Sequence, residues 1–409
     1  MNLTNDCRVT NKLFISIVFF AITLSAKTQE EFIPPPSRKL TEFPFTQLTG
    51  GVVLINARLD NFPDTLNFVF DTGSSGISLD STTALYFDLK PIPSERTIRG
   101  IAGIKKVSFL MGRKLHLPGL DIDSLNFHIN DYDILTSVYG LKIDGIIGYS
   151  VLSRYIVKLD YDNNKIEFWT KGTLRYPRGG YLFKPSINSF NALPVQTARV
   201  KDAVTVSTRF LYDIGAALCL LLSKDFIEDS TFLDKRRKLY VKEAEGLGGK
   251  VDMHITVSRE LKIGPYRFRN VPTYIMDDVN NITSYPVMGG LIGNDILRRF
   301  NTIFNYEREE FYLTPNTHYG ESFDYAYTGV ELYFIDGNIV AGDVAKGSPA
   351  EAAGLKEGDI VVAINKNFSQ NLTTLKQALQ VINEKVKMIV RRNEQLLELE
   401  FKARSIMSR

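Results

Sequence analysis

The chain has 409 residues, which is enough for about two to four domains at roughly 150 residues each. Hydrophobic residues make up 44% and charged residues 23%, proportions that are ordinary for a soluble globular protein. The net charge of +3 gives no reason to expect a nucleic acid or an anionic membrane surface as a partner. Four scattered histidines and two cysteines offer no metal-ligand spacing, so we expect no metal and no other cofactor. The apolar neighbours of Cys219, ALCLLL, favour an inert core thiol over a nucleophile.

The N-terminus has the layout of a secretory signal peptide. Arg8 and Lys12 precede an apolar run, LFISIVFFAITLSA, which ends in small residues before the chain turns polar at Lys27. The run is shorter than the ~20 apolar residues that span a bilayer, and an uncleaved membrane anchor is the alternative. We therefore predict a signal peptide over 1–26, a linker over 27–40, and export to the periplasm, the cell surface or the medium.

The stretch FVFDTGSSGISLD, residues 68–80, ends an apolar strand on a carboxylate, Asp71. A buried carboxylate without a partner is costly, so this one should have a partner or a task. Gly73 allows a sharp turn and a close approach of backbone N–H groups, and Ser74 offers a hydroxyl donor. The short alternating runs around this motif predict mostly β structure.

The second half of the chain repeats the first. DGIIGYSVLSRYIVKLDYDNNKIEF, residues 144–168, aligns without a gap with GGLIGNDILRRFNTIFNYEREEFYL, residues 289–313. Upstream of these segments, FVFDTGSS faces FLYDIGAA at 210–217, and this alignment matches Asp71 with Asp213. We therefore predict two similar lobes that each present one aspartate at the end of an apolar strand.

The repeat also contains a Gly-rich hairpin tip in each lobe. The residues of these tips have few side chains to hold them still, and they are Gly100, Ile101, Ala102 and Gly103 in the first lobe and Gly246, Leu247, Gly248 and Gly249 in the second. Such hairpins can fold over an extended peptide and exclude water.

We place the lobes at 41–185 and 186–318. Arg154 and Arg299, at matched positions, are expected at the surface or at helix ends, and Asp80 is expected to face solvent.

Two carboxylates held close together cannot both be charged without a large energetic cost, so one keeps a proton. The ionised group can take a proton from water while the protonated group donates to a substrate carbonyl oxygen. This is general acid–base hydrolysis without a metal or a covalent intermediate. A two-carboxylate glycosidase is compatible with the spacing, but the duplication centred on two Asp-x-Gly turns disfavours it.

Over about residues 40–318 the chain resembles aspartic peptidases of the retropepsin-like, pepsin-related superfamily. The resemblance rests on two motifs and on the apolar-apolar-Gly element that follows each, namely Asp71-Thr72-Gly73-Ser74-Ser75 with Ile146-Ile147-Gly148, and Asp213-Ile214-Gly215-Ala216-Ala217 with Leu291-Ile292-Gly293. It implies bilobal closed β barrels, proteolysis in the cleft between the lobes, and a catalytic pair formed by Asp71 and Asp213. Both halves of this pair lie in one chain, so a monomer suffices. The resemblance also implies which residues support the catalytic loops, namely Thr72, Gly73, Ser74, Ile214, Gly215 and Ala216.

One residue departs from the pattern of this family. Its second motif residue is usually Thr, whose hydroxyl bonds to the opposite lobe. Thr72 keeps the hydroxyl, whereas Ile214 lacks it. One missing hydrogen bond costs on the order of 1 kcal/mol if no group is left stranded. Two functions remain open, an active aspartic endopeptidase and a catalytically inactive peptide-binding scaffold.

Residues 323–409 resemble a small α+β PDZ domain. The resemblance rests on four short segments, Gly347-Ser348-Pro349-Ala350, Ala353-Gly354-Leu355, Gly358-Asp359-Ile360-Val361 and Ile364-Asn365. Helices are predicted at Ala350–Ala353 and Thr373–Ile382. A PDZ domain adds an extended peptide to a sheet edge.

The candidate loop for the carboxylate of such a peptide is Gly329-Val330-Glu331-Leu332. Glu331 would repel that carboxylate unless its side chain points away. The PDZ-like domain is therefore expected either to bind the C-terminus of a peptide and deliver or gate substrate, or to serve in packing or dimerisation.

Overall fold

The computed structural model describes residues 34–100, 103–187, 192–246, 249–281 and 283–407. The predicted signal peptide, residues 27–33 of the predicted linker and the hairpin residues Ile101, Ala102, Leu247 and Gly248 lie outside these ranges. The predicted fold class is confirmed, because two closed β barrels are followed by a small PDZ-like domain. Within the described ranges, no helix combines the length and the apolarity that a membrane crossing requires.

The first lobe is an eight-stranded sheet in the order β2-β3-β4-β9-β5-β8-β7-β6. Pairing of Arg58 with His116 closes it into a barrel. Its strands are β2 (Thr46–Gln47), β3 (Val53–Leu59), β4 (Leu66–Phe70), β5 (Ile77–Asp80), β6 (Ile92–Gly100), β7 (Gly103–Leu117), β8 (Leu120–Asn130) and β9 (Gly145–Ile147). Its helices are α1 (Ser81–Tyr86), α2 (Asp133–Tyr139) and α3 (Tyr149–Leu152). Helix α2 ends at Gly140, whose φ of 70° is a conformation that glycine adopts at little cost.

The second lobe repeats this arrangement in the order β13-β14-β15-β20-β16-β19-β18-β17, and β14 pairs with β18 to close the barrel. Its strands are β13 (Ser186–Ile187), β14 (Pro194–Lys201), β15 (Thr205–Asp213), β16 (Leu220–Ser223), β17 (Tyr240–Gly246), β18 (Gly249–Ile263), β19 (Tyr266–Met276) and β20 (Gly290–Gly293). Its helices are α4 (Lys224–Ser230) and α5 (Asn294–Leu297).

A third sheet joins the two lobes. Its order is β1-β11-β10-β21-β22-β12, and β10 of the first lobe pairs antiparallel with β21 of the second, with Val157 opposite Phe304. The strands are β1 (Lys39–Pro44), β10 (Ile156–Asp160), β11 (Lys165–Trp169), β12 (Tyr181–Phe183), β21 (Phe300–Asn305) and β22 (Glu310–Pro315). One continuous apolar core runs through both barrels and this sheet, so the lobes are held in a fixed relation.

The PDZ-like domain has a five-stranded sheet in the order β24-β25-β26-β27-β28 and a core of its own. Its elements are β24 (Val330–Ile335), β25 (Asn338–Val344), α6 (Pro349–Ala352), β26 (Ile360–Ile364), α7 (Leu372–Ala378), β27 (Lys385–Arg392) and β28 (Gln395–Lys402). A two-stranded pair, β23 (Ala326–Tyr327) with β29 (Arg404–Ser405), joins its two ends. The predicted helix Thr373–Ile382 is too long at its C-terminal end. The helix ends at Ala378, and the last two residues of the predicted range, Val381 and Ile382, are β-branched and have a lower helix propensity.

Candidate active site

The two predicted aspartates are positioned by the same local device in each lobe. Strand β4 runs parallel to β9, and the Asp71 N–H donates to the Ile147 carbonyl at 2.9 Å. Strand β15 runs parallel to β20, with Asp213 opposite Gly293. Each strand therefore ends at a corresponding point of its barrel, and the two carboxylates face each other.

The glycines of the two motifs interlock the two loops that carry Asp71 and Asp213. The Gly73 N–H donates to Asp71 at 2.6 Å, and the Gly215 N–H donates to Asp213 at 2.8 Å. A Cβ placed on Gly73 would lie 2.5 Å from an Asp213 oxygen, and one on Gly215 would lie 2.4 Å from the Asp71 carboxyl carbon. Each loop therefore leaves room for the opposite carboxylate only because its third residue has no side chain.

Electrostatics make the two aspartates act as one unit. Burial, and then the charge of Asp213, raise the pKa of Asp71 well above its usual value. Burial also raises the pKa of Asp213, against hydrogen bonds from Asp71 and from the backbone of Gly215 and Ala216. A pair of this kind holds one proton over a range of pH in which isolated aspartates would both be ionised.

The hydroxyl of Thr72 spans the lobes beneath the carboxylates. It donates to the Tyr212 carbonyl at 2.7 Å and accepts from the Ile214 N–H at 3.1 Å. Ile214 is only 2% exposed and packs in the shared core, so an apolar side chain fills the matched position. One half of the reciprocal contact is present, and the other is replaced by packing.

The apolar-apolar-Gly elements pass behind the aspartate loops in both lobes. The Tyr149 N–H donates to the Ser74 carbonyl at 2.9 Å, and the Asn294 N–H donates to the Ala216 carbonyl at 2.8 Å. These matched bonds tie α3 and α5 to the two loops. Among the described residues the Ser74 hydroxyl makes no hydrogen bond to Asp71, so Ser74 contributes here through its backbone.

The predicted hairpin residues flank two turns. Gly100 pairs with Gly103 in the first lobe, and Gly246 pairs with Gly249 in the second. Next to the first tip, the Arg99 guanidinium donates to the Asn281 carbonyl of the second lobe at 3.2 Å, which links the two lobes. The second hairpin, β17–β18, contacts the PDZ-like domain instead.

Two tyrosines at matched positions of the repeat, Tyr161 and Tyr306, had no role in the sequence-based prediction, and Tyr306 lies near the two aspartates. The Tyr161 hydroxyl donates to Asn294 of the opposite lobe at 3.0 Å, and the Tyr306 ring packs edge-on against Tyr149 with centroids 5.4 Å apart. The Tyr306 hydroxyl is buried, and among the described residues it has no hydrogen-bond partner. Burial, and then the charge of Asp71, raise its pKa. The signal that could have found these residues was their match in the repeat.

Arg299 and Arg154, predicted at the surface or at helix ends, each follow the end of a helix, but Arg299 is not at the surface. Arg299 is 1% exposed, donates to the carbonyls of Asp295 at 2.8 Å and Glu321 at 2.5 Å, and stacks on Phe323 at 4.1 Å. Backbone acceptors and an aromatic face replace water around this guanidinium. Arg154, which is half-buried, likewise donates to two backbone carbonyls.

The prediction that Asp80 faces solvent is wrong, because its side chain is fully buried. It accepts from the Lys142 ammonium at 2.6 Å and from the Tyr132 N–H at 2.9 Å, and it caps α1. In the described part of the chain, Asp80, Asp131 and Asp133 form the acidic group spaced closely enough for a metal ion. Because these protein donors already surround Asp80, we assign the group no metal.

The predicted peptide-binding residues of the PDZ-like domain lie at the start of its edge strand. Gly329 has a φ of 74°, and Val330 and Leu332 are buried in the domain core. Glu331 points toward the second lobe, where its carboxylate lies 2.8 Å from the Lys242 ammonium. The repulsion expected between Glu331 and a bound carboxylate is therefore reduced by a neighbouring cation.

Comparison with known protein families gives two matches. Residues 55–151 and 196–296 match the aspartyl protease family model, and residues 340–392 match a PDZ domain model. The two aspartyl protease segments contain Asp71 and Asp213, one in each. No curated protein was found to match the chain.

Proposed function

We propose that this protein, which carries an aspartyl protease domain in two segments followed by a PDZ domain, is an aspartic endopeptidase whose catalytic pair is Asp71 and Asp213. The observation that carries the proposal is the interlocking of the two loops, in which each glycine makes room for the opposite carboxylate. A protein that only binds peptides has no need of two matched acids that share a proton.

The chemistry follows from that shared proton. The ionised carboxylate takes a proton from a water molecule while the oxygen of that water attacks the peptide carbonyl carbon. The protonated carboxyl gives its proton to the carbonyl oxygen, so a neutral tetrahedral diol forms. Return of a proton to the peptide nitrogen then breaks the C–N bond and releases an amine and a carboxylic acid. Backbone N–H groups of Gly73 and Gly215 hold the carboxylates in place during these transfers.

The second candidate function is a peptide-binding scaffold that has lost catalysis. The observation that favours it is Ile214, because the hydroxyl that would complete the contact between the lobes is replaced by a buried side chain. Thr72 still bonds to both Tyr212 and Ile214 across the lobes, and this supports the active alternative.

Export is part of the same proposal. It is supported by the order of features at the N-terminus, with Arg8 and Lys12, an apolar run and then small residues. Export to an extracytoplasmic location suits a peptidase whose single mature cysteine, Cys219, is buried and forms no disulfide. Fractionation of expressing cells tests the location. The mass of the N-terminal peptide of the mature protein tests cleavage near residue 26.

The experiment that tests the activity is incubation of the protein with a mixed peptide library from acid to neutral pH. Asp71→Asn and Asp213→Asn are the matched controls, because each removes one ionisable group with almost no change of volume. We expect cleavage by the wild type and none by either variant. Cleavage that survives both substitutions would refute the dyad. Binding without cleavage by well-folded wild type would support the scaffold.

A further inference from the structure

The PDZ-like domain holds a segment of the first lobe in the place where a PDZ domain takes its ligand. That place is the groove between the edge strand β24 and helix α7, and we call it the groove throughout. Strand β24 is the last strand of its sheet and pairs along one edge with β25. An extended peptide needs the other edge, from Val330 to Ile335.

Helix α2 of the first lobe lies at this free edge, where it contacts β24. The Lys376 ammonium of α7 donates to the Val138 carbonyl at 2.9 Å. A Cβ placed on Gly140, where α2 ends, would lie 3.2 Å from the Leu372 side chain and 3.7 Å from the Phe334 side chain. The C-terminal end of α2 is therefore wedged between both walls of the groove.

The chemistry of this contact resembles that of a bound peptide end. Val138 lies in the last turn of α2, where carbonyl groups lack partners within the helix and carry partial negative charge. The Lys376 ammonium of the groove donates a hydrogen bond to one of these carbonyls. The opposite end of the groove, between Gly329 and Val330 on one side and Gln377 of α7 on the other, is open and belongs to a cavity of about 870 Å³ that Lys242 of β17 also lines.

The same domain holds the second hairpin. The Lys242 ammonium lies 2.8 Å from Glu331, and the Lys250 ammonium lies 2.8 Å from Asp343. The Tyr327 hydroxyl donates to the Val241 carbonyl at 2.9 Å. Helix α2 contacts β17 as well. One helix of the first lobe, one hairpin of the second lobe and the edge strand of the PDZ-like domain thus meet in a single junction.

We propose that this junction is an autoinhibitory clamp, in which α2 blocks the end of the groove at Phe334 and Leu372 and must leave before the groove takes an extended external peptide or the second hairpin moves freely. The clamp regulates the proposed peptidase, but the contact itself does not depend on catalysis. Its occupant is the segment 133–140, which covers β24 where the residues of a peptide would otherwise pair.

A disulfide across the groove tests the clamp in the full chain. Gly140→Cys with Leu372→Cys brings two Cβ atoms to about the separation that a disulfide requires, after a shift of a few tenths of an ångström. Cys219 is buried, and Cys7 is replaced by serine in every variant, so neither native cysteine takes part in the reaction. Asp71→Asn is included throughout, so a failure of the clamp is distinguishable from a failure of the proposed activity. The two single-cysteine variants report the cost of each substitution.

Two readouts follow. Hydrogen exchange of 240–246 is expected to be at least about tenfold slower in the oxidised than in the reduced double variant. A fluorescent decapeptide ending in a free valine carboxylate is expected to bind the reduced form at least about tenfold more tightly than the oxidised form. Its C-terminally amidated twin shows whether the carboxylate is recognised. Equal hydrogen exchange in the two forms would overturn the proposal, and so would equal binding of the decapeptide. If the decapeptide binds neither form, the exchange rates decide alone.

Discussion

Replacement of Thr72 by valine isolates the hydrogen bonds that join the two lobes beneath the dyad. Valine keeps the shape of the side chain and removes the hydroxyl. Thr72 is only 1% exposed. Its hydroxyl donates to the Tyr212 carbonyl at 2.7 Å and accepts from the Ile214 N–H at 3.1 Å. Thr72→Val therefore leaves two backbone groups of the second lobe without their partner in a place that water does not reach.

The magnitude follows from those two groups. A buried donor or acceptor left unsatisfied costs about 1–3 kcal/mol, so we expect Thr72→Val to lower the free energy of unfolding by about 2–4 kcal/mol after partial relaxation. Because the same bonds set the separation of Asp71 and Asp213, peptide cleavage should also fall, by roughly 100-fold for a displacement near 1 Å.

Urea unfolding followed by tryptophan fluorescence is the assay. The chain has a single tryptophan, Trp169, which lies in β11 of the sheet that joins the lobes, so its emission reports on their contact. Thr72→Ser, which keeps the hydroxyl, is the first control. Ile214→Val is the second, because at the matched position it removes one methylene and no hydrogen bond, for a cost of about 0.5–1.5 kcal/mol. A Thr72→Val protein within about 0.5 kcal/mol of the wild type would refute this reasoning.

Four further substitutions test other parts of the structure. Gly215→Ala should abolish cleavage while the protein stays folded, because the new Cβ would lie 2.4 Å from the Asp71 carboxyl carbon; cleavage at the wild-type rate would show that the loops are further apart. Tyr306→Phe should leave the free energy of unfolding unchanged or raise it by up to about 1 kcal/mol, as measured in urea, since it removes a buried hydroxyl without a partner among the described residues. Arg299→Met should lower the urea midpoint, with a cost of about 2–4 kcal/mol, because the carbonyls of Asp295 and Glu321 lose a buried donor; Arg299→Lys should recover part of it. Burial lowers the pKa of His128 to about 4, so the unfolded chain binds the extra proton between pH 6.5 and about 4. The free energy of unfolding should then fall by about 3 kcal/mol as the pH drops through that window, and His128→Phe should remove this part of the pH dependence.

The sequence by itself determined the duplicated architecture and the candidate pair of acids. Both are encoded locally, in apolar strands that end on Asp-x-Gly turns and in a gapless repeat of 25 residues at 144–168 and 289–313. Because equivalent strands occupy equivalent places in the two lobes, matching Asp71 with Asp213 in the alignment was enough to predict that they face each other. The order of turn and helix residues after Gly329 likewise indicated a PDZ domain.

Only the tertiary structure decided which side chains are buried and what occupies the groove. Arg299 and Asp80 look like surface residues in the sequence, and they are buried because partners from distant segments replace water around them. The Lys376 contact with Val138 joins residues 238 positions apart, and the Thr72 contact with Tyr212 joins residues 140 apart. Local patterns set which elements form, whereas contacts at such separations depend on how whole domains pack, and no short stretch of the chain encodes them.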